Sequence, residues 1–409
     1  MILGMSESTH GIEQGDLQDQ KIKDYKSDLG VTHTHTVTLP GIRTQSGFEF
    51  EELEISYQTL GKLNLEKDNA LLVCHALSGD AHVGGVHPKT GRPGWWDYHV
   101  GPGKAIDTDK FFVICSNVLG GCAGSTGPAS INPRTGKPYA TTFPPVTIRD
   151  MVAAQARLLE HLGIPKLFGT LGGSMGGMQG LVWAIDYPGR VHCCVPIATC
   201  MAHTAMQIAF NEVGRQAIIT DPNWNRGHYT DKHRPEHGLA VARMVGHVTY
   251  LSEFAMKTKF GRNLQRESKP EDLFPEFFSV ESYLQHQGES FVRRFDPNSY
   301  LYITKALDRF DLLDKRPPAE VFKNVKTRFL VVSFESDWLY PPDQSRELVK
   351  ALKRSNAIVT YLNLDTPYGH DSFLIQNPEF ARALRNFLIS EYRNQRAALK
   401  KATQHLPAL

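Results

Sequence analysis

From about residue 70 onward, the chain alternates between short apolar runs and segments with helical periodicity. Uninterrupted apolar runs of roughly four to eight residues are typical of strands buried on both faces, as in a parallel sheet. Two earlier stretches, Val31–Leu39 and Phe48–Tyr57, partly alternate instead and predict antiparallel strands. The uninterrupted runs are Leu71–Leu77, Phe111–Val118, Leu167–Leu171, Cys193–Ala198, Phe329–Phe334 and Ile358–Leu364.

Helical segments separate several of these runs, and the clearest extends from Thr147 to Leu162. Thr147 and Asp150 resemble a capping box, in which each residue satisfies a backbone amide at the start of a helix. Gly163 and Pro165 follow and end the segment. Alternation of strands and helices predicts an α/β architecture.

Between about 201 and 320 the strand-like runs give way to helical patterns, such as Leu239–Phe260 and Phe291–Leu312. This predicts a helical insertion that covers the top of the sheet; a separate helical domain is the alternative. The expected organisation is an N-terminal arm (1–30), the first part of an α/β core (31–200), the insertion (201–320) and the second part of the core (321–400).

The composition is that of an ordinary globular protein, with 409 residues, 41% hydrophobic, 22% charged and a formal net charge of +2. It excludes a disordered, collagen-like or coiled-coil chain, and the charge gives no indication of a nucleic-acid or anionic-membrane partner. No uncharged apolar run approaches the roughly 18 residues of a membrane span, and the first thirty residues show no signal-peptide pattern. Six cysteines without a CxxC pair predict free thiols, so we expect a cytoplasmic protein.

The sharpest chemical signal is the pattern Gly172-x-Ser174-x-Gly176, which follows an apolar run and precedes the helix-compatible segment Met178–Ile185. This is a nucleophile-elbow pattern, in which a serine occupies a strained turn between a strand and a helix. The glycines are needed because side chains would collide with neighbouring turns. The helix N-terminus then points at the serine and stabilises negative charge there.

An elbow serine needs an acid and a histidine later in the chain. Asp337 ends the strand-like run that begins at Phe329, and His370 follows the next run, so Ser174, Asp337 and His370 form the candidate triad. His370 would take the serine proton and Asp337 would orient it. Glu335 is the nearest rival for the acid. Two backbone amides should form the oxyanion hole, from Met175 after the nucleophile and from Leu77 after an early strand.

Several motifs, in order along the chain, resemble those of the homoserine O-acyltransferases, a branch of the α/β-hydrolase superfamily. The resemblance covers about residues 31–390. It implies an α/β-hydrolase fold with a mostly parallel central sheet and a helical lid at the insertion. The motifs that carry it are Gly172–Gln179, His75–Gly79, Gly94–Asp97, Asn117–Cys122, Ser125–Pro128, Phe143–Asp150, Gly238–Arg243, Ser336–Pro341 and Gly369–Asp371.

By this resemblance, the chain transfers an acyl group from an acyl-CoA thioester to the side-chain hydroxyl of L-homoserine, in a ping-pong reaction that serves methionine synthesis. Ser174 would carry the acyl group, and His370 would then deprotonate the homoserine hydroxyl. The family's arginine for the substrate carboxylate falls on Arg215, and a guanidinium suits that role through its bidentate geometry. Asp371 matches the family's acid for the amino group.

The acyl donor is indicated by one position. Succinyl-using members of the family tend to carry an arginine two residues after the triad acid, and that position is Leu339 here. Acetyl-CoA is therefore expected, unless an arginine from another loop serves a succinyl group; serine as acceptor is a further variant. A generic esterase or thioesterase is the main alternative, and Arg215 with Asp371 argues against it. A non-catalytic scaffold is the third, and the intact triad argues against that.

The resemblance also implies a homodimer built through the insertion and no cofactor beyond the acyl-CoA co-substrate. Two groups of histidines could be considered as metal ligands. His33 and His35 share one face of a predicted strand, which is expected to be solvated. The spacing of His228, His233 and His237 does not match a helical metal motif, so no metal site is predicted.

Overall fold

A computed structural model describes residues 25–266 and 277–404 of the chain. Its centre is an eight-stranded sheet with the strand order β1-β2-β4-β3-β5-β6-β7-β8. The strands are β1 (His35–Pro40), β2 (Glu52–Leu60), β3 (Ala70–Val73), β4 (Phe112–Ser116), β5 (Leu167–Gly173), β6 (Val191–Ile197), β7 (Arg328–Phe334) and β8 (Val359–Leu364).

The sheet is mostly parallel, as predicted. β1 pairs with β2 and β2 with β4 in antiparallel register, and every pairing from β4 through β3 to β8 is parallel. The predicted boundaries are wrong by more than two residues in the first three strands. The first strand begins at His35 and not at Val31, which makes only an isolated bridge to Val86. The second, predicted at Phe48–Tyr57, spans Glu52–Leu60. The third ends at Val73, because the chain turns away there to form a loop beside the nucleophile.

Helices cover both faces of the sheet, so the inner parallel strands are buried on both sides, as the uninterrupted apolar runs require, while the edge strand β8 is only partly buried. Thr147 caps α1, and the predicted capping box with Asp150 is present. The helices are α1 (Ile148–His161), α2 (Met175–Asp186), α3 (Ala205–Ile219), α4 (Glu236–Tyr250), α5 (Glu253–Lys259), α6 (Ser279–Val292), α7 (Pro297–Asp308), α8 (Pro318–Val321), α9 (Pro342–Arg354) and α10 (Pro378–Gln404).

Helices α3 to α7 lie between β6 and β7, and we call these helices with their connecting loops the lid. The predicted helix Leu239–Phe260 is two helices, because the chain is extended at Leu251 and Ser252 caps a new helix there. The predicted helix Phe291–Leu312 is also wrong at both ends. α6 ends at Val292, and α7 starts afresh with Asp296 as its cap and ends at Asp308. The lid also contains a short strand pair, Leu264–Arg266 with Phe277–Phe278, that no sequence pattern indicated.

Part of the predicted N-terminal arm, residues 1–24, lies outside the described residues. The part that follows is docked on the core, since Tyr25 Oη and Ser27 Oγ donate hydrogen bonds of 2.6 and 2.7 Å to the buried carboxylate of Asp97. All six cysteines are free thiols, five of them buried. Among the described helices, none is both long and apolar enough to span a bilayer.

Candidate active site

Ser174 stands at the turn between β5 and α2 with φ 57° and ψ −123°, a strained conformation for a residue with a side chain. Close backbone approach explains the flanking glycines. A Cβ on Gly172 would lie 2.4 Å from the carbonyl oxygen of Cys74, and one on Gly176 would lie 2.1 Å from the same atom. The turn is fixed by two hydrogen bonds, from Ser174 N to Ile197 O (2.9 Å) and from Thr199 Oγ1 to Ser174 O (2.8 Å).

The three candidate triad residues each follow the carboxyl end of a strand, β5, β7 and β8 respectively, and two of them are in direct contact. Asp337 Oδ2 accepts a hydrogen bond from His370 Nδ1 at 2.7 Å, and both side chains are buried. The other oxygen, Oδ1, accepts from the amides of Leu339 (3.0 Å) and Tyr340 (2.8 Å). Because the carboxylate can only accept, Nδ1 carries a proton and Nε2 is left to act as the base.

Three aromatic rings surround His370, and no sequence pattern indicated any of these contacts. The Tyr340 ring stacks on the imidazole at 4.8 Å with an interplanar angle of 22°. Phe373 presents its edge at 5.6 Å, and Tyr250 of the lid lies tilted at 6.0 Å. These contacts hold the imidazole plane and keep bulk water from the base.

Glu335, the rival acid, lies elsewhere. Its side chain is exposed and its carboxylate accepts a hydrogen bond from Asn363 Nδ2. Leu339 lies between the triad and the lid, where its carbonyl accepts a hydrogen bond from Gln207 Nε2 at 2.9 Å. Its side chain is partly buried and packs against the apolar core.

The predicted oxyanion amides belong to the loop after β3 and to the first turn of α2. Within residues 25–266 and 277–404, the amides of Leu77 and Met175 have no protein acceptor, so both are free to bind a developing oxyanion. The buried imidazole of His75 shapes the loop, since Nδ1 donates to Ala76 O (2.7 Å) and Nε2 accepts from Val118 N (3.1 Å). Burial lowers the pKa of His75, so the ring is neutral and its tautomer is fixed by these two partners.

Gln179 connects the two halves of the oxyanion hole. Its Nε2 donates to His75 O and to Met175 O, each at 3.2 Å, while its Oε1 accepts from Gln155 Nε2 at 2.7 Å. The side chain is fully buried. Although Gln179 ends the elbow motif, its role depends on a contact 104 residues away in sequence, which no local pattern reveals.

Arg215, the predicted carboxylate ligand, is buried on α3 and already paired. It bonds to Glu212 Oε2 through Nε (3.0 Å) and Nη2 (2.7 Å), and Nη2 also lies 2.7 Å from Asp308 Oδ2. Its Nη1 is buried and, among the described residues, has no hydrogen-bond partner. The binding role of Arg215 stays a prediction.

A second arginine, Arg243 on α4, faces the active site and was missed. Its Nη1 donates to Ser78 Oγ at 3.3 Å, in the oxyanion loop, and its guanidinium lies 5.7 Å from the Tyr250 ring centroid. Nε is buried and finds no acceptor within the described part of the chain. Burial raises the pKa of Asp371 from its ordinary value, while the nearby His370 and Arg243 oppose that shift. The only sequence signal was that Arg243 closes a motif shared with the family.

The lid is joined directly to these catalytic loops. Arg294, after α6, donates from Nη1 to Ser78 O at 2.8 Å, and Trp338 Nε1, beside the triad acid, donates to Leu251 O at 3.0 Å. The described residues contain no group of three or more His, Cys, Asp or Glu side chains that could hold a metal ion.

Comparisons with known proteins show the fold and the family of the chain. The α/β hydrolase fold family matches residues 69–376. Homoserine O-acetyltransferase of Methanohalobium evestigatum is 54% identical over 369 residues, covering 90% of this chain and 75% of the relative. The Rhodospirillum rubrum protein of the same name is 56% identical over 350 residues, covering 85% and 90%.

Two solved structures are also similar. Homoserine O-acetyltransferase from Bacillus anthracis has a TM-score of 0.82 at 28% identity, covering 88% of this chain and 98% of that one. Esterase E22 has a TM-score of 0.80 at 32% identity, covering 87% and 100%. More than half of the aligned residues are identical to those of each of the two relatives, over at least three quarters of the relative's length. The chain therefore belongs to the homoserine O-acetyltransferase family within the α/β hydrolase fold.

Proposed function

We propose that the protein transfers an acetyl group from acetyl-CoA to the side-chain hydroxyl of L-homoserine. The observation that carries the proposal is the hydrogen-bonded pair of His370 and Asp337 beside a strained Ser174, in a chain of this family. The reaction passes through an acetyl ester of Ser174, and its product is an intermediate for methionine synthesis.

The first half-reaction acylates the enzyme. Ser174 Oγ attacks the thioester carbonyl as its proton passes to His370 Nε2, and the amides of Leu77 and Met175 hold the tetrahedral oxyanion. The C–S bond then breaks, and the proton on Nε2 goes to the departing thiolate of coenzyme A. Asp337 stabilises the imidazolium that exists between these two steps.

The second half-reaction uses the same groups in the opposite direction. The homoserine hydroxyl gives its proton to His370 Nε2 and attacks the acetyl ester. When the second tetrahedral intermediate collapses, the bond to Ser174 Oγ breaks and the proton returns to that oxygen. O-acetylhomoserine is released and the free serine is regenerated, with no net change in the enzyme.

Acceptor selection is proposed to rest on opposite charges near the triad. Asp371 binds the ammonium group of homoserine, whose positive charge favours ionisation of this buried carboxyl. For the carboxylate, and counting partners among the described residues only, Arg215 offers a single unpaired Nη1, whereas Arg243 adjoins the oxyanion loop with an unpaired Nε. Arg243 is therefore proposed as the main carboxylate ligand, and Arg215 as a support for the lid.

The apolar Leu339 supports acetyl over succinyl as the donor acyl group, because a second carboxylate there would meet a partly buried aliphatic side chain. A steady-state assay of coenzyme A release, with L-homoserine and either acetyl-CoA or succinyl-CoA, tests the donor. Faster turnover with acetyl-CoA supports the proposal. Preference for succinyl-CoA would keep the triad and place the carboxylate on another cation, with Arg243 as the first candidate.

A homodimer through the lid is part of the proposal. Exposed apolar side chains repeat seven residues apart on two lid helices, at Met206 and Val213 on α3 and at Val241 and Val248 on α4. That spacing puts each pair on one face, as a helix–helix interface requires. Light scattering should give twice the chain mass, and a Val213→Asp variant should be monomeric. A wild-type monomer at micromolar concentration would remove this claim.

The competing function is an ester hydrolase, favoured by the likeness to esterase E22. Both functions pass through an acetyl ester of Ser174. They differ in whether homoserine or water accepts the acetyl group from that ester. Homoserine should release the acetyl group much faster than water does, and the Arg243→Met variant should lose this advantage while its hydrolysis of a simple acetate ester persists. Equal rates of discharge with and without homoserine would favour the hydrolase.

A further inference from the structure

Three buried polar side chains form a hydrogen-bonded chain that ends at the backbone of the oxyanion hole. Trp183 and Gln179 lie on α2, and Gln155 lies on α1. Trp183 Nε1 donates to Gln155 Oε1 at 2.8 Å, and Gln155 Nε2 donates to Gln179 Oε1 at 2.7 Å. Gln179 Nε2 then donates to His75 O and to Met175 O, each at 3.2 Å. None of these three side chains takes part in the proton transfers of the proposed reaction.

The two ends of this chain fix the direction of every hydrogen bond in it. An indole N–H can only donate and a backbone carbonyl can only accept. The amide oxygen of Gln155 must therefore face Trp183, and the NH₂ group of Gln179 must face the two carbonyls. A flipped Gln179 would put its own oxygen against two carbonyl oxygens in a fully buried place, where unpaired polar groups are costly. The side chain is thus held in one orientation.

The two carbonyls belong to the two segments that supply the oxyanion amides. Met175 O is on the same residue as one of these amides, at the start of α2. His75 O lies one peptide before the unit that carries the other amide, Leu77 N. The preceding amide, Cys74 N, donates to Leu171 O at 2.8 Å and continues the pairing of β3 with β5. Gln179 therefore joins the two segments at the point where the loop leaves the sheet.

Close backbone contact and the Gln179 hydrogen bonds act in opposite directions on these segments. A Cβ on Gly176 would lie 2.1 Å from Cys74 O, so the loop and α2 already approach as closely as a glycine permits. Steric contact of this kind opposes further approach but not separation. The two hydrogen bonds from Gln179 Nε2 oppose separation, and together the two effects leave one spacing.

We propose that Gln179, oriented by Gln155 and Trp183, is a positioning residue that sets the separation of the Leu77 and Met175 amides. Both amides must lie about 3 Å from the same oxyanion to stabilise it. A change in their separation weakens binding of each tetrahedral intermediate, whereas binding of the ester before attack is little affected. The inference rests on the proposed acyl-serine mechanism and adds the residue that maintains the oxyanion hole in both half-reactions.

The test compares an oxygen ester with its sulfur analogue, because only the first places negative charge on an oxygen in the hole. The measurement is the pre-steady-state rate constant for acylation by p-nitrophenyl acetate and by p-nitrophenyl thionoacetate, in which C=S replaces C=O. Sulfur is larger and accepts hydrogen bonds more weakly, so the ratio of the two rate constants reports on the oxyanion amides. A rate constant, unlike a burst amplitude, does not depend on the fraction of enzyme that is folded.

Gln179→Met keeps a side chain of similar length and removes both hydrogen bonds to the carbonyls. We expect acylation by the oxygen ester to slow roughly 10- to 100-fold, short of the roughly 10²–10³ lost when an oxyanion donor is removed outright, and acylation by the thionoester to slow less than about threefold. The rate ratio therefore falls. A wild-type ratio in this variant would overturn the proposal, since a general packing defect slows both esters alike.

Gln155→Met tests the chain without altering the Gln179 side chain. It removes the donor that orients Gln179, so the rate ratio should fall in the same direction by roughly three- to tenfold, the effect of one neutral hydrogen bond. Because the two glutamines act as one unit, the double variant should lose less than about twofold beyond Gln179→Met. An unchanged ratio in Gln155→Met, or fully additive losses, would contradict the assigned chain.

The matched control is Gln58→Met on β2. Gln58 is also fully buried and bonded through both ends of its amide, accepting from Val83 N at 2.8 Å and donating to Thr32 Oγ1 at 3.1 Å. Its rate ratio should equal that of the wild type, and an equal fall there would overturn the proposal. Ser174→Ala should not be acylated by either ester; wild-type acylation in that variant would contradict the acyl-serine mechanism itself.

Discussion

The clearest prediction concerns Asp337→Asn, because the structure determines how the amide must sit. Oδ1 accepts two backbone hydrogen bonds, from Leu339 and Tyr340, and only an oxygen can keep both. The asparagine oxygen must therefore take that side, and its NH₂ group must face His370 Nδ1. That nitrogen becomes an acceptor, the imidazole proton moves to Nε2, and the base can no longer take the serine proton.

The expected loss is roughly 10³ to 10⁴ in kcat, or about 4 to 5.5 kcal/mol of transition-state stabilisation. Steady-state release of coenzyme A measures it, with circular dichroism as the check that the fold is intact. Glu335→Gln is the matched control, since this exposed carboxylate lies directly after β7 and accepts a hydrogen bond from Asn363 Nδ2. A loss of less than tenfold in Asp337→Asn, or an equal loss in Glu335→Gln, would refute the reasoning.

Three further predictions follow from contacts of single residues. Arg243→Met should raise the KM for homoserine about 10- to 100-fold, the effect of one charge-assisted hydrogen bond; the same effect in Arg215→Met alone would return the carboxylate role to Arg215. Gly176→Ala should destabilise the fold by about 3 kcal/mol in denaturant unfolding, because its Cβ would meet Cys74 O at 2.1 Å, and a fully stable, active variant would contradict this. Burial lowers the pKa of His99 from 6.5 to about 4, so between these pH values the unfolded chain binds a proton that the folded chain does not. The free energy of unfolding should decrease as the pH is lowered from 6.5 to about 4, by at most ~1.4 kcal/mol per pH unit for this group, and His99→Phe should have a shallower slope.

The sequence pattern predicted those features of the fold that depend on residues close together in the chain. The elbow glycines, the capping box and the uninterrupted strands follow from sterics, from unpaired amides and from burial on both faces, and the structure contains each of them. Position at the end of the strand-like run was the reason to favour Asp337 over Glu335. The two residues share a strand face in sequence terms, and only the extra turn after β7 brings Asp337 to His370.

The remaining site residues depend on contacts between distant segments. Gln179, Tyr340 and Arg243 act through partners 104, 30 and 165 residues away, so nothing beside them in the sequence indicates what they contact. The lid helices show the same limit of prediction from local sequence. Their apolar periodicity predicted helices, but it did not reveal the break at Leu251, where the chain must turn so that Ser252 reaches the carbonyl of Pro367, close to His370.

The central claim is an acetyl ester on Ser174 that homoserine discharges. Mass spectrometry of the protein after brief mixing with acetyl-CoA alone, followed by peptide mapping, tests it most directly. We predict one acetyl group on the peptide that contains Ser174, none in Ser174→Ala, and rapid loss of the label when L-homoserine is added. An unmodified Ser174 after mixing, or a label that water removes as fast as homoserine does, would contradict the account.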